Sequence, residues 1–204
     1  MAAVIARSPS VVSLRRAGPD DAITLKTLIE GGYRGASARR GWTHEADLVA
    51  AERISPGELD TLLQDPTVHL LIAERGDATI DCPSGSPIGC PAGCVAITDH
   101  GPFIGEEEAG LAQHRASIGL LCVDPALQSE GLGNRLLGAG EDCARRLGAA
   151  IVGMTVIDNR APLLGWYKRR GYSDTGERQP FPKADADHDA DDPPLRFAVL
   201  VKQL

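Results

Sequence analysis

The run Gln128-Ser129-Glu130-Gly131-Leu132-Gly133 constrains this chain more than any other segment. It follows an apolar stretch of strand length, Ala116 to Val123, that ends in Asp124-Pro125. After it, Leu132, Leu136, Leu137, Ala144 and Leu147 recur at helical spacing. A strand, a tight turn and a long helix are the expected local order. In that arrangement backbone N–H groups of the turn and of the helix start converge, and they bind a phosphate without any cationic side chain. Gly131 and Gly133 supply unusual dihedrals and let a pyrophosphate approach the amides closely. A Gly-x-Gly before a helix is in itself a weak signal, because many helix starts contain one by chance. The two common nucleotide fingerprints do not fit, for there is no Gly-Lys-Ser/Thr and no third glycine.

The rest of the chain reads as alternating strands and helices. Val11 to Arg16 alternates like a strand, and Pro19-Asp20-Asp21 opens a helix with Ala22, Leu25, Leu28 and Ile29 on one face. Residues Gly31 to Arg40 lack periodicity and are expected to form a loop. Thr43, with Glu45 to Asp47 and then Leu48 and Val49, suggests a second helix start. Ser55-Pro56-Gly57-Glu58 has the pattern of a capping box with Pro at the first helical position. His69 to Glu74 and Ile88 to Thr98 are expected to be adjacent antiparallel strands, followed by a polar loop from Asp99 to Gln113. Ala150 to Ile157 reads as a buried strand, and Ala161 to Arg170 as a short helix stopped by Gly171. Strands over Tyr172 to Glu177 and Leu195 to Lys202 close the chain. We expect one domain over residues 1–204, with flexible segments at 1–10 and 178–194.

Val123-Asp124-Pro125 followed by Gln128-x-x-Gly131-x-Gly133 resembles the acyl-CoA pyrophosphate loop of the GNAT acetyltransferase superfamily. Downstream, the helix from Arg135 to Leu147, the strand Ile151 to Ile157, Asn159, and Trp166-Tyr167-Lys168-Arg169-Arg170-Gly171-Tyr172 follow in the family's order. The specific resemblance spans roughly residues 116–177. It implies an α/β fold, with a mixed, mostly antiparallel sheet whose central parallel strands splay and whose faces carry helices. It also implies an N-acetyltransferase that moves an acetyl group from acetyl-CoA to an amine by direct attack in a ternary complex. The implied cofactor-binding set is Leu121, Cys122, Val123, Gln128, Ser129, Glu130, Gly131, Leu132, Gly133, Asn134, Asn159 and Tyr167. Main-chain groups of Leu121 and Val123 would hold the pantetheine arm, and a backbone amide of the same strand would polarise the thioester carbonyl. Tyr167 matches the family's general acid, which protonates the departing thiolate; taken alone it also reads as a core tyrosine. Asn159 matches a residue that bonds the pantetheine arm, or it caps the following helix.

One departure concerns the base. Many family members carry a glutamate where this chain has Ser117, and serine is a poor general base without a partner. Glu45, Asp47 and His44 are the alternatives, with Glu45 the base candidate. Tyr33, Trp42, His44 and Glu45 form the expected substrate-binding group, although a solvated loop anchored by Trp42 explains the same residues. Without the glutamate, a non-catalytic acyl-CoA-binding or sensing module is the alternative function. A transferase for a larger acyl group is another, resting on Gly119 and Gly153.

The remaining motifs bound the partners. The aspartate-rich run Asp185 to Asp192 either draws in a cationic amine by its field or is a solvated loop. It lacks the glycine and distal glutamate of a calcium loop. Cys82, Cys90 and Cys94 do not form a paired zinc pattern, so no metal is expected. Five cysteines, an odd number, favour free thiols in a reducing compartment. A formal net charge of −7 with no basic block argues against nucleic acid and anionic membranes, and favours a cationic or neutral small-molecule amine. The N-terminus lacks the basic start of a secretory signal, and no stretch approaches the roughly 18 apolar residues of a membrane span. A soluble, cytoplasmic protein is expected, with the closing strands as the place for a homodimer contact.

Overall fold

The computed structural model describes residues 12–76, 90–103, 113–182 and 194–204. Among the described residues seven strands form one sheet: β1 (Val12–Arg16), β2 (Val68–Arg75), β3 (Cys90–Phe103), β4 (Gln113–Val123), β5 (Ile151–Ile157), β6 (Ser173–Pro180) and β7 (Arg196–Gln203). Their spatial order is β1-β2-β3-β4-β5-β7-β6. Every neighbouring pair is antiparallel except β4 and β5.

Helices α1 (Ala22–Tyr33) and α2 (Pro56–Gln64) cover one face, and α3 (Leu132–Arg146) covers the other, while α4 (Ala161–Lys168) follows β5. Leu25, Leu28, Ile29 and Gly32 make the buried face of α1. They pack with Leu70, Ile72, Cys94, Leu120 and Cys122 of the sheet. Leu136, Leu137 and Ala144 of α3 pack on Val95, Ile97, Ile118 and Val152 across the opposite face. Each fully buried leucine contributes about 2 kcal/mol. At α2, Ser55 Oγ accepts from the Glu58 amide at 3.2 Å and Glu58 Oε2 accepts from the Ser55 amide at 2.7 Å, which completes the capping box.

The centre of the sheet is where it opens. β4 and β5 pair only at Arg115 with Ile151, Ala116 with Val152 and Ser117 with Gly153; beyond that the strands diverge. On its other side β4 carries a bulge, since Cys94 pairs with Cys122 but Ala96 pairs with Gly119. Leu120 takes the strain, with φ of 47°, a conformation that costs an L-residue about 1–2 kcal/mol. The bulge turns backbone groups at Leu120 and Leu121 out of the β3 ladder.

Several boundaries differ from the sequence expectation. Helix α1 runs through Gly31 and Gly32 to Tyr33, because Gly32 lies against Cys122 and its small size permits the contact. The stretch from Thr43 to Val49 is a series of turns, and no helix starts there. Thr43 Oγ1 accepts from Gln128, and Glu45 turns inward, so neither serves as a helix cap. β3 and β4 extend into the expected loop as far as Phe103 and back from Gln113. Arg178 to Pro180 belong to β6 rather than to a loop. The segment 1–10, Cys82 and the run Asp185 to Asp192 lie outside the described residues. Among the described residues no helix is long and apolar enough to cross a membrane.

Candidate active site

A cavity of about 400 Å³ occupies the gap between the splayed strands. At one end is the turn that joins β4 to α3. Asp124 Oδ1 accepts from the Ala126 amide at 2.8 Å, and a 3-10 turn over Pro125–Leu127 leads into it. Ser129 and Gly131 then take left-handed conformations, with φ of 71° and 83°. Gly131 is the N-cap of α3 and has no capping side chain. No described residue accepts a hydrogen bond from the amides of Ser129, Glu130, Gly131, Leu132 or Gly133. Left-handed turn residues that leave unspent amides at a helix start make an anion-binding nest.

Arg170 stands beside this nest. Its guanidinium stacks on Trp166 at 3.6 Å, and its Nε donates to Asn134 Oδ1 at 2.9 Å. Gln128 has a different role. Its Oε1 accepts from the Trp42 amide at 3.0 Å and its Nε2 donates to Thr43 Oγ1 at 2.9 Å. The side chain thus ties the turn to the loop after α1, and only the main chain of Gln128 remains for a ligand.

Midway along the cavity lies Tyr167, on the α4 face that packs on the sheet. Trp166 and Tyr172 meet its ring edge-on, with centroids at 4.9 and 5.8 Å. Its hydroxyl has no hydrogen-bond partner among the described residues. Burial pushes its pKa up to about 12, a rise that Arg160 and Arg170 oppose. The phenol is therefore a proton donor throughout the neutral range.

The far wall comes from the loop after α1. Tyr33 donates its hydroxyl to the Leu121 carbonyl at 3.0 Å, which fixes it against the β4 bulge. Glu45 is buried and lines the cavity. Its Oε2 accepts from Arg34 Nη2 at 2.9 Å and its Oε1 from Arg160 Nη1 at 3.1 Å. Arg160 also donates to the Thr43 carbonyl. With both oxygens held by guanidinium groups, Glu45 is poorly placed to take a proton from an amine. Ser117 does have a partner, for its Oγ lies 2.9 Å from His100 Nε2. Their position follows from the register: Ser117 pairs with Gly153, two residues before Thr155, which lines the cavity.

Of the residues expected from the sequence, Leu121, Val123, Gln128, Ser129, Gly131, Gly133, Asn134, Tyr167, Tyr33, Trp42 and Glu45 all line this cavity. Cys122 faces α1, with its thiol on the Leu28 carbonyl, and Leu132 packs into the core. Glu130 is exposed outside the lining. Asn159 and His44 line a separate shallow recess beside Trp42 and Leu48, and the α4 cap position falls to Arg160 rather than Asn159. Arg53, Arg160 and Arg170 also line the cavity and were not expected as site residues. Cys94, Cys122 and Cys143 are free thiols. No cluster of three metal-ligating side chains occurs among the described residues.

Comparison with known proteins agrees with this geometry. The structure is similar to Arabidopsis thaliana NAA60 in complex with a bisubstrate analogue, with a TM-score of 0.66 and 12% identity, covering 95% of this chain and 99% of that one. It is similar to yncA from Salmonella typhimurium, solved with its cofactor acetyl-CoA, with a TM-score of 0.60 and 17% identity over 96% and 95% of the two chains. A GNAT-family acetyltransferase from Streptococcus pneumoniae gives 0.59 and 15% over 95% and 100%. At these identities the likeness is one of fold. No curated protein sequence matches the chain. Residues 39–172, which include the nest, the splayed strands and Tyr167, match the family model described as Acetyltransferase (GNAT) family. The chain belongs to the GNAT family of acetyltransferases.

Proposed function

We propose that this protein is an N-acetyltransferase that moves the acetyl group of acetyl-CoA onto an amine of a small molecule, by direct attack in a ternary complex. One observation carries the reading: the unspent amides around Ser129 to Gly133 and the unpartnered hydroxyl of Tyr167 meet one cavity, between strands that have parted. The residues fit the donor. The nest and Arg170 suit its pyrophosphate, and the freed β4 edge at Leu121 and Val123 suits a chain of amides such as pantetheine.

In the reaction the amine nitrogen attacks the thioester carbonyl carbon and forms the new C–N bond. Charge on the carbonyl oxygen is stabilised by a backbone N–H of the β4 bulge. As the C–S bond breaks, Tyr167 gives its proton to the sulfur, and the proton lost by the amine restores the phenol through solvent. The amine must arrive as the free base, and at the position where many family members carry a glutamate Ser117 Oγ lies 2.9 Å from His100 Nε2.

The test is a panel of amines with acetyl-CoA, read as free thiol released. Thiol release that depends on an amine supports transfer, whereas tight acetyl-CoA binding with no release over the whole panel supports a sensing module. A second reading, transfer of a longer acyl group, has one observation in its favour. Gly119 lines the cavity, and a methyl added there would meet nothing within 4 Å. Competition between acetyl-CoA and longer acyl-CoA thioesters decides between them.

A further inference from the structure

The charge inside the cavity runs against the charge of the protein. The chain is acidic overall, at −7, yet the lining carries three arginines, Arg53, Arg160 and Arg170, against one carboxylate, Glu45. Two of the arginines are already engaged. Arg160 is held by Glu45 and the Thr43 carbonyl. Arg170 is held by Trp166 and Asn134 beside the nest.

Arg53 differs from both. Its main chain is fixed, since its amide donates to Glu30 Oε1 at 2.8 Å. Its guanidinium lies 5.1 Å from the centre of the Tyr33 ring. Tyr33 is in turn fixed by its bond to the Leu121 carbonyl. Among the described residues no carboxylate pairs with Arg53, and its Nε is buried without an acceptor. The residue as a whole is only part-buried and lines the cavity, and no described acceptor bonds its guanidinium, so a ligand oxyanion in the cavity can take up its free donors. The planar fork of arginine fits a carboxylate with two parallel hydrogen bonds.

We propose that Arg53 is a specificity-determining residue that receives a carboxylate on the acceptor, so that the acceptors are amines bearing a carboxylate, with α-amino acids as the simplest class. This deepens the acetyl-transfer reading and rests on it. Arg53 sits at the Tyr33 wall by the β4 bulge, away from the Gly131 nest and Arg170 that suit the phosphates. The fixed ring of Tyr33 supplies an apolar platform for the guanidinium. The local field, and not the net charge, then sets the choice of acceptor.

The experiment compares the proteinogenic α-amino acids with their carboxamides as acceptors, using wild type, Arg53→Ala and Arg53→Lys. Acetyl-CoA affinity is measured separately by calorimetry. The expected result is a kcat/KM at least about 10-fold higher for the acids than for the amides. Arg53→Ala should remove that preference through KM, Arg53→Lys should keep part of it, and acetyl-CoA affinity should stay unchanged. Equal rates for acids and amides would overturn the proposal, as would an Arg53→Ala variant that loses acetyl-CoA affinity but keeps the preference. A third readout is the thermal stabilisation of the protein by amino acids alone. If Arg53 mediates it, the carboxylate site stands even where acetyl transfer fails; if the acids stabilise wild type and Arg53→Ala alike, the proposal falls.

Discussion

Gln128 Oε1 accepts a hydrogen bond from the Trp42 amide at 3.0 Å, and this bond joins the turn between β4 and α3 to the loop after α1. The same side chain reaches Thr43 Oγ1 at 2.9 Å. A methyl at Gly41 would lie 2.7 to 2.9 Å from three of its terminal atoms. Gln128→Ala is expected to raise KM for acetyl-CoA and for the amine together, each by about 3- to 10-fold, the loss of one or two hydrogen bonds. Steady-state kinetics in both substrates checks this. A rise confined to acetyl-CoA would mean that the side chain serves the phosphates directly.

Gly32 and Cys122 form a size lock between α1 and β4. A methyl at Gly32 would lie 2.2 Å from Cys122 Sγ, whereas the next nearest atoms, the Val123 carbonyl oxygen and Cys122 Cβ, are at 3.5 and 3.9 Å. Gly32→Ala is expected to destabilise the protein by about 1–3 kcal/mol through overpacking. Adding Cys122→Ala removes the clashing sulfur and should restore most of that loss. Urea unfolding of the single and double variants measures it. Strictly additive losses would contradict the lock.

Glu45 is expected to act as a structural anchor rather than the base. Its side chain and those of Arg34 and Arg160 are 8%, 6% and 10% exposed, so the cluster is nearly dry. Glu45→Ala leaves two buried guanidinium groups without their carboxylate and should cost about 3–5 kcal/mol. Glu45→Gln keeps an acceptor and should lose less stability, with the pH dependence of kcat unchanged. A Glu45→Gln variant of native stability whose kcat collapses would restore Glu45 as the base.

This cluster also marks where sequence reasoning stopped. The strand, turn and helix around Gly131 and the segment carrying Tyr167 were legible, because apolar periodicity, turn glycines and motif spacing are local signals. Thr43 and Glu45 read as a helix start for the same local reason, but Glu45 is claimed by arginines 11 and 115 residues away. No local pattern encodes that. Gly31 and Gly32 read as the start of a loop without periodicity, and Cys122, across the interface, explains why the helix that continues there needs a small residue at Gly32. Arg53 and Arg160 stand in connections without periodicity, and their meaning lies in what they do or do not meet in space. The Glu141 site is another case. Its carboxylate accepts from Lys202 Nζ at 2.8 Å and from the Tyr172 hydroxyl at 3.1 Å, and both partners lie far along the chain from this buried α3 residue.

Tyr167 gives a pH prediction in two parts. Burial lifts its folded pKa from 10.0 to about 12, so the acid form persists and kcat should show no loss from its ionisation below pH 10. Tyr167→Phe should lower kcat by about 10²- to 10⁴-fold at every pH in that range. For stability the sign is that of a raised pKa: the contribution is complete below pH 10 and is lost as pH climbs toward 12. For a shift of two units the loss is about 3 kcal/mol. Tyr167→Phe should lack that part of the alkaline loss. Equal alkaline destabilisation in both proteins would contradict a buried neutral phenol.

The measurement that bears most directly on the central claim is a calorimetric titration of acetyl-CoA into wild type and Gly133→Asp. Gly133 lines the cavity at the start of α3, and a Cβ there meets only ordinary contacts with Val123 and Trp166, at 3.7 and 3.8 Å. The fold should therefore survive the change, while a carboxylate now faces the phosphate nest. Wild type is expected to bind one acetyl-CoA with Kd between about 1 μM and 1 mM. The variant should bind at least about 100-fold more weakly at an unchanged melting temperature. No binding to wild type at millimolar acetyl-CoA, or equal binding to a folded Gly133→Asp, would contradict the assignment of this turn as the donor site.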